Sequence, residues 1–159
     1  AYGISKQLGL NAPSVEQPQY NLFHRKRVED ELAPLCKEFG LGLTTFSPLF
    51  SGILSGKYND GIPEGSRATM QDVPWIRSQI TPERIAVVRQ LTAIARDFGF
   101  TTAQLAIGWI LRRKDISAVI TGASRPEQLD ENLMAPDVLP SLTDEVLEKI
   151  DRIVDNNAD

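Results

Sequence analysis

The chain has 159 residues, 42% of them hydrophobic, 24% charged and 7% aromatic, with one cysteine, one histidine and a formal charge of −4. This is the composition of a soluble globular domain, and the length fits one domain. A single cysteine excludes an internal disulfide and a multi-cysteine zinc site, a single histidine excludes a two-histidine metal motif, and no apolar run reaches the roughly 18 residues of a membrane span. Mild acidity gives no general attraction to nucleic acid. The expectation is a metal-free intracellular protein.

Residues 1–10 read as the close of a helix, with Ile4 and Leu8 on one face and Gly9 as its stop. Residue 1 is Ala, and no charged start leads into an apolar core, so the reading is a truncated beginning without a secretory signal. Residues 13–15 form a short strand leading into Glu16 and Gln17. Val28, Leu32, Leu35, Cys36 and Phe39 then recur on one helical stripe that ends at Gly40, which makes Cys36 an inert core thiol. Residues 41–46 form a second strand, closed by Ser47 and Pro48.

Thr81, Pro82 and Glu83 announce the next helix, with Val88, Leu91, Ala95 and Phe98 on its inner face and Gly99 after it. Thr102 is the expected cap of a following helix, in which Leu105 pairs with Trp109 and Ala106 with Ile110. Residues 118–121 form a third strand, Gly122 turns the chain, and a helix begins near Pro126. A last helix gathers Val146, Leu147, Ile150, Ile153 and Val154 on one face. Strands alternating with helices predict an α/β fold with parallel pairing. The segment 48–80 breaks the alternation and reads as a long loop of the functional or disordered kind.

Parallel α/β proteins bind ligands at the carboxyl ends of their strands. Those ends carry Glu16 and Gln17, then Ser47, then Thr121, Gly122 and Ser124. Ser124 and Arg125 before a helix suit a phosphate, although by themselves they read first as an ordinary helix cap. Residues 51–58 imitate a P-loop but fail it: three residues rather than four separate Gly52 from Gly56, and Tyr58 stands in the magnesium-binding position. Lys57 and Arg67 remain as two loop cations, either phosphate partners or solvated charge. His24 precedes the run Arg25, Lys26 and Arg27, which lacks the interleaved aromatics of a nucleic-acid surface. Among these residues there is no acid/base constellation for catalysis.

Four motifs, taken in order, carry a resemblance. They are Glu16-Gln17-Pro18-Gln19-Tyr20-Asn21; Phe46-Ser47-Pro48-Leu49 with Ser51-Gly52-Ile53-Leu54-Ser55-Gly56-Lys57-Tyr58; Ser66-Arg67-Ala68; and residues 122–129 with Glu131 and Asn132. Together they resemble the C-terminal half of an aldo-keto reductase, nearest the branch of the voltage-gated potassium channel β-subunits. The resemblance implies strands six to eight of a (β/α)₈ barrel with their helices, residues 1–159 being one segment of an NADPH-binding domain. It implies that Gln17 bonds the nicotinamide carboxamide and that Phe46 lies under the ring, where the channel β-subunits have a larger aromatic. Ser47, Pro48, Leu49, Ser51 and Lys57 would line the diphosphate, and Arg67 the adenine or its neighbouring phosphate.

Gly122, Ser124 and Gln128 would hold the 2′-phosphate, and Glu131 and Asn132 the adenine amino group. Gly65, where the family often has a bulkier residue, is not counted. The implied activity is NADPH-dependent reduction of aldehydes or ketones by hydride transfer in the cytoplasm. Its acid/base tetrad lies in the upstream half of the barrel, so this segment alone would be inactive. The implied partners are a small carbonyl substrate and that upstream half, without nucleic acid or membrane insertion, and a homo-oligomer is compatible with it. A non-catalytic nucleotide-sensing channel subunit is the alternative.

Overall fold

Three short strands lie side by side in chain order, all parallel: β1 (Val15–Glu16), β2 (Gly42–Thr45) and β3 (Ile116–Val119). The computed structural model describes residues 1–155. Val15 pairs with Gly42 and Glu16 with Leu43, while Leu43 pairs with Ile116 and Thr45 with Val119. Pairing runs past the strands at their carboxyl ends. Gln19 bridges Phe46, and the Ile120 N–H donates to the Thr45 carbonyl at 2.8 Å. The third strand lies two residues earlier than the sequence reading placed it.

Seven helices accompany the sheet among the described residues: α1 (Tyr2–Leu8), α2 (Ala33–Phe39), α3 (Trp75–Gln79), α4 (Pro82–Asp97), α5 (Thr102–Leu111), α6 (Pro126–Leu133) and α7 (Asp144–Asp155). Helix α4 starts as the sequence predicts, with the Thr81 side chain accepting the Arg84 N–H. Helix α5 is capped by Thr101 rather than Thr102. Thr101 and Gln104 form a reciprocal capping box, and the Thr102 hydroxyl turns inward to Thr92 Oγ1 at 2.9 Å. Every residue from 102 to 110 is buried, so α5 is the central helix of the core and not a surface helix with one wet face.

Three further expectations change. The helix expected over Val28 to Phe39 opens as a π-turn, Arg27–Leu32, before α2 begins, and this rotates the apolar stripe. Val28 and Leu32 are buried, whereas Cys36 is half-buried rather than a core thiol, and its pKa is pushed up by desolvation and then by Asp115. Phe39 is exposed, although its ring stacks on Tyr2 at 4.2 Å. Phe98 is likewise exposed at the end of α4. The long segment is no structureless loop: it contains 3₁₀ turns at Phe50–Ser55 and Arg67–Thr69, then α3. It buries Phe50, Ile53, Leu54, Tyr58, Ala68 and Ile76 in the core, which is why it holds one shape.

Helix α5 packs on the 3₁₀ segment Ala135–Ser141 through Gly108. A Cβ at that position would stand 3.0 Å from both the Ala135 carbonyl oxygen and Val138 Cβ. Gly108→Ala is therefore expected to lower stability by about 1–3 kcal/mol through overpacking, despite alanine's better helix propensity. Urea unfolding of the variant checks this; a gain in stability would mean that the two segments part freely. No helix among the described residues is long and apolar enough to cross a membrane.

Candidate functional site

The carboxyl ends of the three strands come out at one end of the sheet, and most of the candidate residues follow directly from them. Gln17 lies just beyond β1 and is exposed. Phe46 ends the pairing of β2 and is 41% exposed, leaving ring surface free at this end. Thr121, Gly122 and Ser124 follow β3.

A strained turn follows Phe46. Ser47, Phe50 and Ser51 have φ of 56°, 44° and 57°, the left-handed region that L-residues avoid, and Gly52 follows at 90°. Pro48 is buried, and Leu49 and Ser51 are half-buried. The Ser47 carbonyl accepts the Phe50 N–H at 3.1 Å, and the Leu49 carbonyl accepts the N–H groups of Gly52 and Leu54. Asn21, fully buried, reaches the turn from the end of β1: its Nδ2 donates to the Ser47 carbonyl at 2.9 Å. Its Oδ1 accepts the Phe23 and His24 N–H groups at 3.0 and 3.1 Å.

Arg84, in the first turn of α4, lays its guanidinium over Phe50 at 5.0 Å and Phe23 at 5.9 Å. His24 sits beside the same Phe50 ring at 5.1 Å, and its pKa is lowered by desolvation and by the Arg84 charge. That places the histidine as a ring contact of the turn.

Lys57 doubles back over the turn. A Cβ at Gly52 would meet its ammonium at 2.6 Å, so glycine there both takes the left-handed φ and lets the lysine pass. The ammonium also stands 5.1 Å from the centre of the Tyr58 ring. Arg67 is exposed in its own 3₁₀ turn, and neither cation forms an ion pair among the described residues. No hydrogen bond there joins Arg67 to Lys57 or to Ser124.

At the start of α6 the Ser124 N–H and hydroxyl both donate to one atom, Gln128 Oε1, at 2.8 and 3.1 Å. Arg125 is the N-cap residue and makes no side-chain cap bond. Neither side chain caps the α6 backbone, so the simple capping alternative does not describe this turn. The two donors converge on a single side-chain oxygen, so both are satisfied within the turn. Farther along α6, the Glu131 carbonyl accepts a bond from Gln104 Nε2 at 3.2 Å, and Asn132 is buried.

The end of β1 is fixed from behind by an ionic cluster. The Tyr20 N–H donates to the Phe46 carbonyl at 3.3 Å, and its hydroxyl donates to Glu29 Oε1 at 2.7 Å. Burial first, and the Glu29 bond second, push the Tyr20 pKa far up. Arg25 bonds both Glu29 oxygens and reaches Asp151 on α7 at 2.8 Å. Asn21 and Arg84 were not among the residues singled out from sequence as lining a site. The available signal was an asparagine two and three residues before the backbone N–H groups of a turn, the pattern of an Asx turn.

Residues 5–155 match the family described as the Aldo/keto reductase family. The chain is 45% identical over 156 residues to a probable voltage-gated potassium channel subunit beta of Arabidopsis thaliana, covering 97% of this chain and 48% of that one. A putative voltage-gated potassium channel subunit beta of Schizosaccharomyces pombe (strain 972 / ATCC 24843) is 45% identical over 157 residues, covering 97% and 46%. A probable voltage-gated potassium channel subunit beta of Oryza sativa subsp. japonica is 44% identical over 156 residues, covering 97% and 48%. The chain thus spans about half the length of the curated relatives it matches. With 151 of its 159 residues inside the family match, the chain belongs to the aldo/keto reductase family.

Proposed function

We propose that this chain is the C-terminal half of an NADPH-dependent carbonyl reductase, strands six to eight of a (β/α)₈ barrel, and that it holds most of the cofactor. A barrel of this kind takes about 250 residues, and β1 and β3 each pair on one side only among the described residues. The observation that carries the reading is the convergence of the Ser124 N–H and hydroxyl on one oxygen, beside a strained, lysine-covered turn at the neighbouring strand end.

The residues present fit the group. Ser124 would turn its two donors from Gln128 Oε1 to a 2′-phosphate oxygen, and Gln128 would then offer its amide hydrogens. Gly122 would join Ser124 and Gln128 at that phosphate. Lys57 would offset the diphosphate charge over the turn of Ser47, Pro48, Leu49 and Ser51, with Arg67 toward the adenine end. Gln17 would orient the nicotinamide amide against the exposed ring of Phe46, and Glu131 and Asn132 would meet the adenine amino group. When bound, the nicotinamide supplies the hydride that reduces an aldehyde or ketone carbon. Proton transfer to the product oxygen falls to residues of the upstream half, whose tyrosine would act with its pKa lowered by a neighbouring lysine.

The test is a full-length protein assayed for loss of NADPH absorbance with a panel of aliphatic and aromatic aldehydes in a cytoplasm-like buffer. Aldehyde-dependent oxidation is the expected result. The relatives' names favour one second reading, a nucleotide-binding subunit without turnover. NADPH binding with no oxidation by any aldehyde would select that reading, and absence of binding would remove both.

A further inference from the structure

We infer that Asn21 is the positioning residue of the diphosphate turn, acting through the Ser47 carbonyl; this rests on the cofactor reading above. Ser47, Phe50 and Ser51 are held in a left-handed conformation that none of these residue types favours. The turn supplies one local bond to the Ser47 carbonyl, from the Phe50 N–H. The other comes from Asn21, 26 residues earlier in the chain.

Asn21 is fully buried and uses both ends of its amide. Rotating the amide would break the bond to Ser47 and both bonds from Phe23 and His24. The orientation of the donor is therefore fixed by the backbone after β1. That same backbone grips Phe46 through the Tyr20 N–H. Asn21 thus sets the diphosphate turn in register with Gln17 and Phe46, the two residues assigned to the nicotinamide. Its side chain is closed off from solvent, so it acts without touching the ligand.

The experiment uses full-length protein and three probes: NADP⁺, 2′-phospho-ADP-ribose and adenosine 2′-phosphate. Only the first two carry a diphosphate. Asn21→Asp keeps the acceptor for Phe23 and His24, but removes the donor and sets a carboxylate oxygen against the Ser47 carbonyl. Affinity for the two diphosphate probes should fall about tenfold, and that for adenosine 2′-phosphate less than about twofold. Asn21→Ser, which shortens the side chain without adding charge, should give the same split.

On a Ser47→Gly background the left-handed φ costs little, so the further loss from the uncharged Asn21→Ser should shrink to about twofold. Equal losses for all three probes would overturn the inference, as would no loss, or an undiminished loss on the Ser47→Gly background. If both Asn21 variants fail to give a cooperative thermal melt, the residue is purely structural and the inference also falls. Wild-type protein that binds none of the probes would instead reject the cofactor reading, and the inference with it.

Discussion

Glu29→Ala is expected to destabilise the fold by about 3 kcal/mol, the largest loss for one side chain outside the apolar core. Glu29 is the acceptor for two groups at once: the Tyr20 hydroxyl at 2.7 Å and Arg25 Nε at 3.1 and 3.2 Å. Tyr20 is fully buried, so removing the carboxylate strands its hydroxyl without an acceptor. Arg25 keeps Asp151 at 2.8 Å but loses the partner that held its Nε through both carboxylate oxygens, and its guanidinium lies 5.2 Å from the Trp109 ring, with Arg112 at 4.0 Å from the same ring. Both side chains of the Arg25–Glu29 pair are about a fifth exposed, which places the loss at the low end of the range for a fully buried pair.

The variant Tyr20→Phe should cost only about 1 kcal/mol, because it removes the donor and leaves the ion pair. The double variant should therefore be more stable than the sum of the two losses indicates. Urea unfolding of the four proteins measures the coupling, and strict additivity would mean that the Tyr20–Glu29 bond is energetically idle.

The same site sets a pH dependence. Burial pushes the Glu29 carboxyl up, but the hydrogen bonds from Arg25 and Tyr20 outweigh it and hold its pKa below the ordinary 4.5. At acid pH the unfolded chain takes up this proton before the folded one does. The contribution of Glu29 is therefore complete above its unfolded pKa and is lost as the pH falls through the lower, folded value. The stability gap between wild type and Glu29→Ala should be constant from about pH 7 to 5 and narrow below about pH 4. A gap that widened in acid would contradict the assignment.

The second large effect is one of selectivity. Ser124→Ala combined with Gln128→Ala should weaken NADPH binding by roughly 10- to 150-fold, the loss of charge-assisted bonds worth about 1.5–3 kcal/mol. NADH should be nearly unaffected, since it lacks the 2′-phosphate. Both Ser124 donors converge on Gln128 Oε1, so the double variant removes the hydroxyl donor and the side-chain amide together. Lys57→Ala should instead weaken both cofactors, because the ammonium lies over the turn assigned to the diphosphate. Fluorescence titration with each cofactor at fixed salt separates the cases. Equal losses for NADPH and NADH in the double variant would move the 2′-phosphate elsewhere; no loss for either would leave the start of α6 as a plain turn.

Much of this architecture is legible residue by residue. Thr81, Pro82 and Glu83 start α4 because a hydroxyl acceptor, a preset φ and a negative charge all act within one turn of chain. Gly9, Gly40 and Gly99 take positive φ at helix ends for the same local reason. The strand-end candidates Gln17, Ser47 and Ser124 were also readable, because parallel pairing puts all strand carboxyl ends on one side of the sheet. The sequence rules failed where two local signals competed. Thr101 and Thr102 both suit an N-cap, and the choice fell to Gln104, which completes the box with Thr101 and leaves Thr102 to meet Thr92.

The sequence by itself determined the order of the three strands and of every helix but α3, most of their caps and the residue types at the strand ends, because these depend on neighbours within four or five positions. Tertiary structure alone decided the rest. The π-turn before α2 re-aimed the stripe from Val28 to Phe39, and α5 became buried on every side because the sheet, α4 and the segment 135–141 all close on it. The left-handed turn at Ser47 is held by Asn21 across 26 residues, and the cluster at Glu29 is completed by Asp151, 126 residues from Arg25. Hydrogen bonds and packing between residues so far apart depend on the whole chain being folded, and no local pattern of residues encodes them.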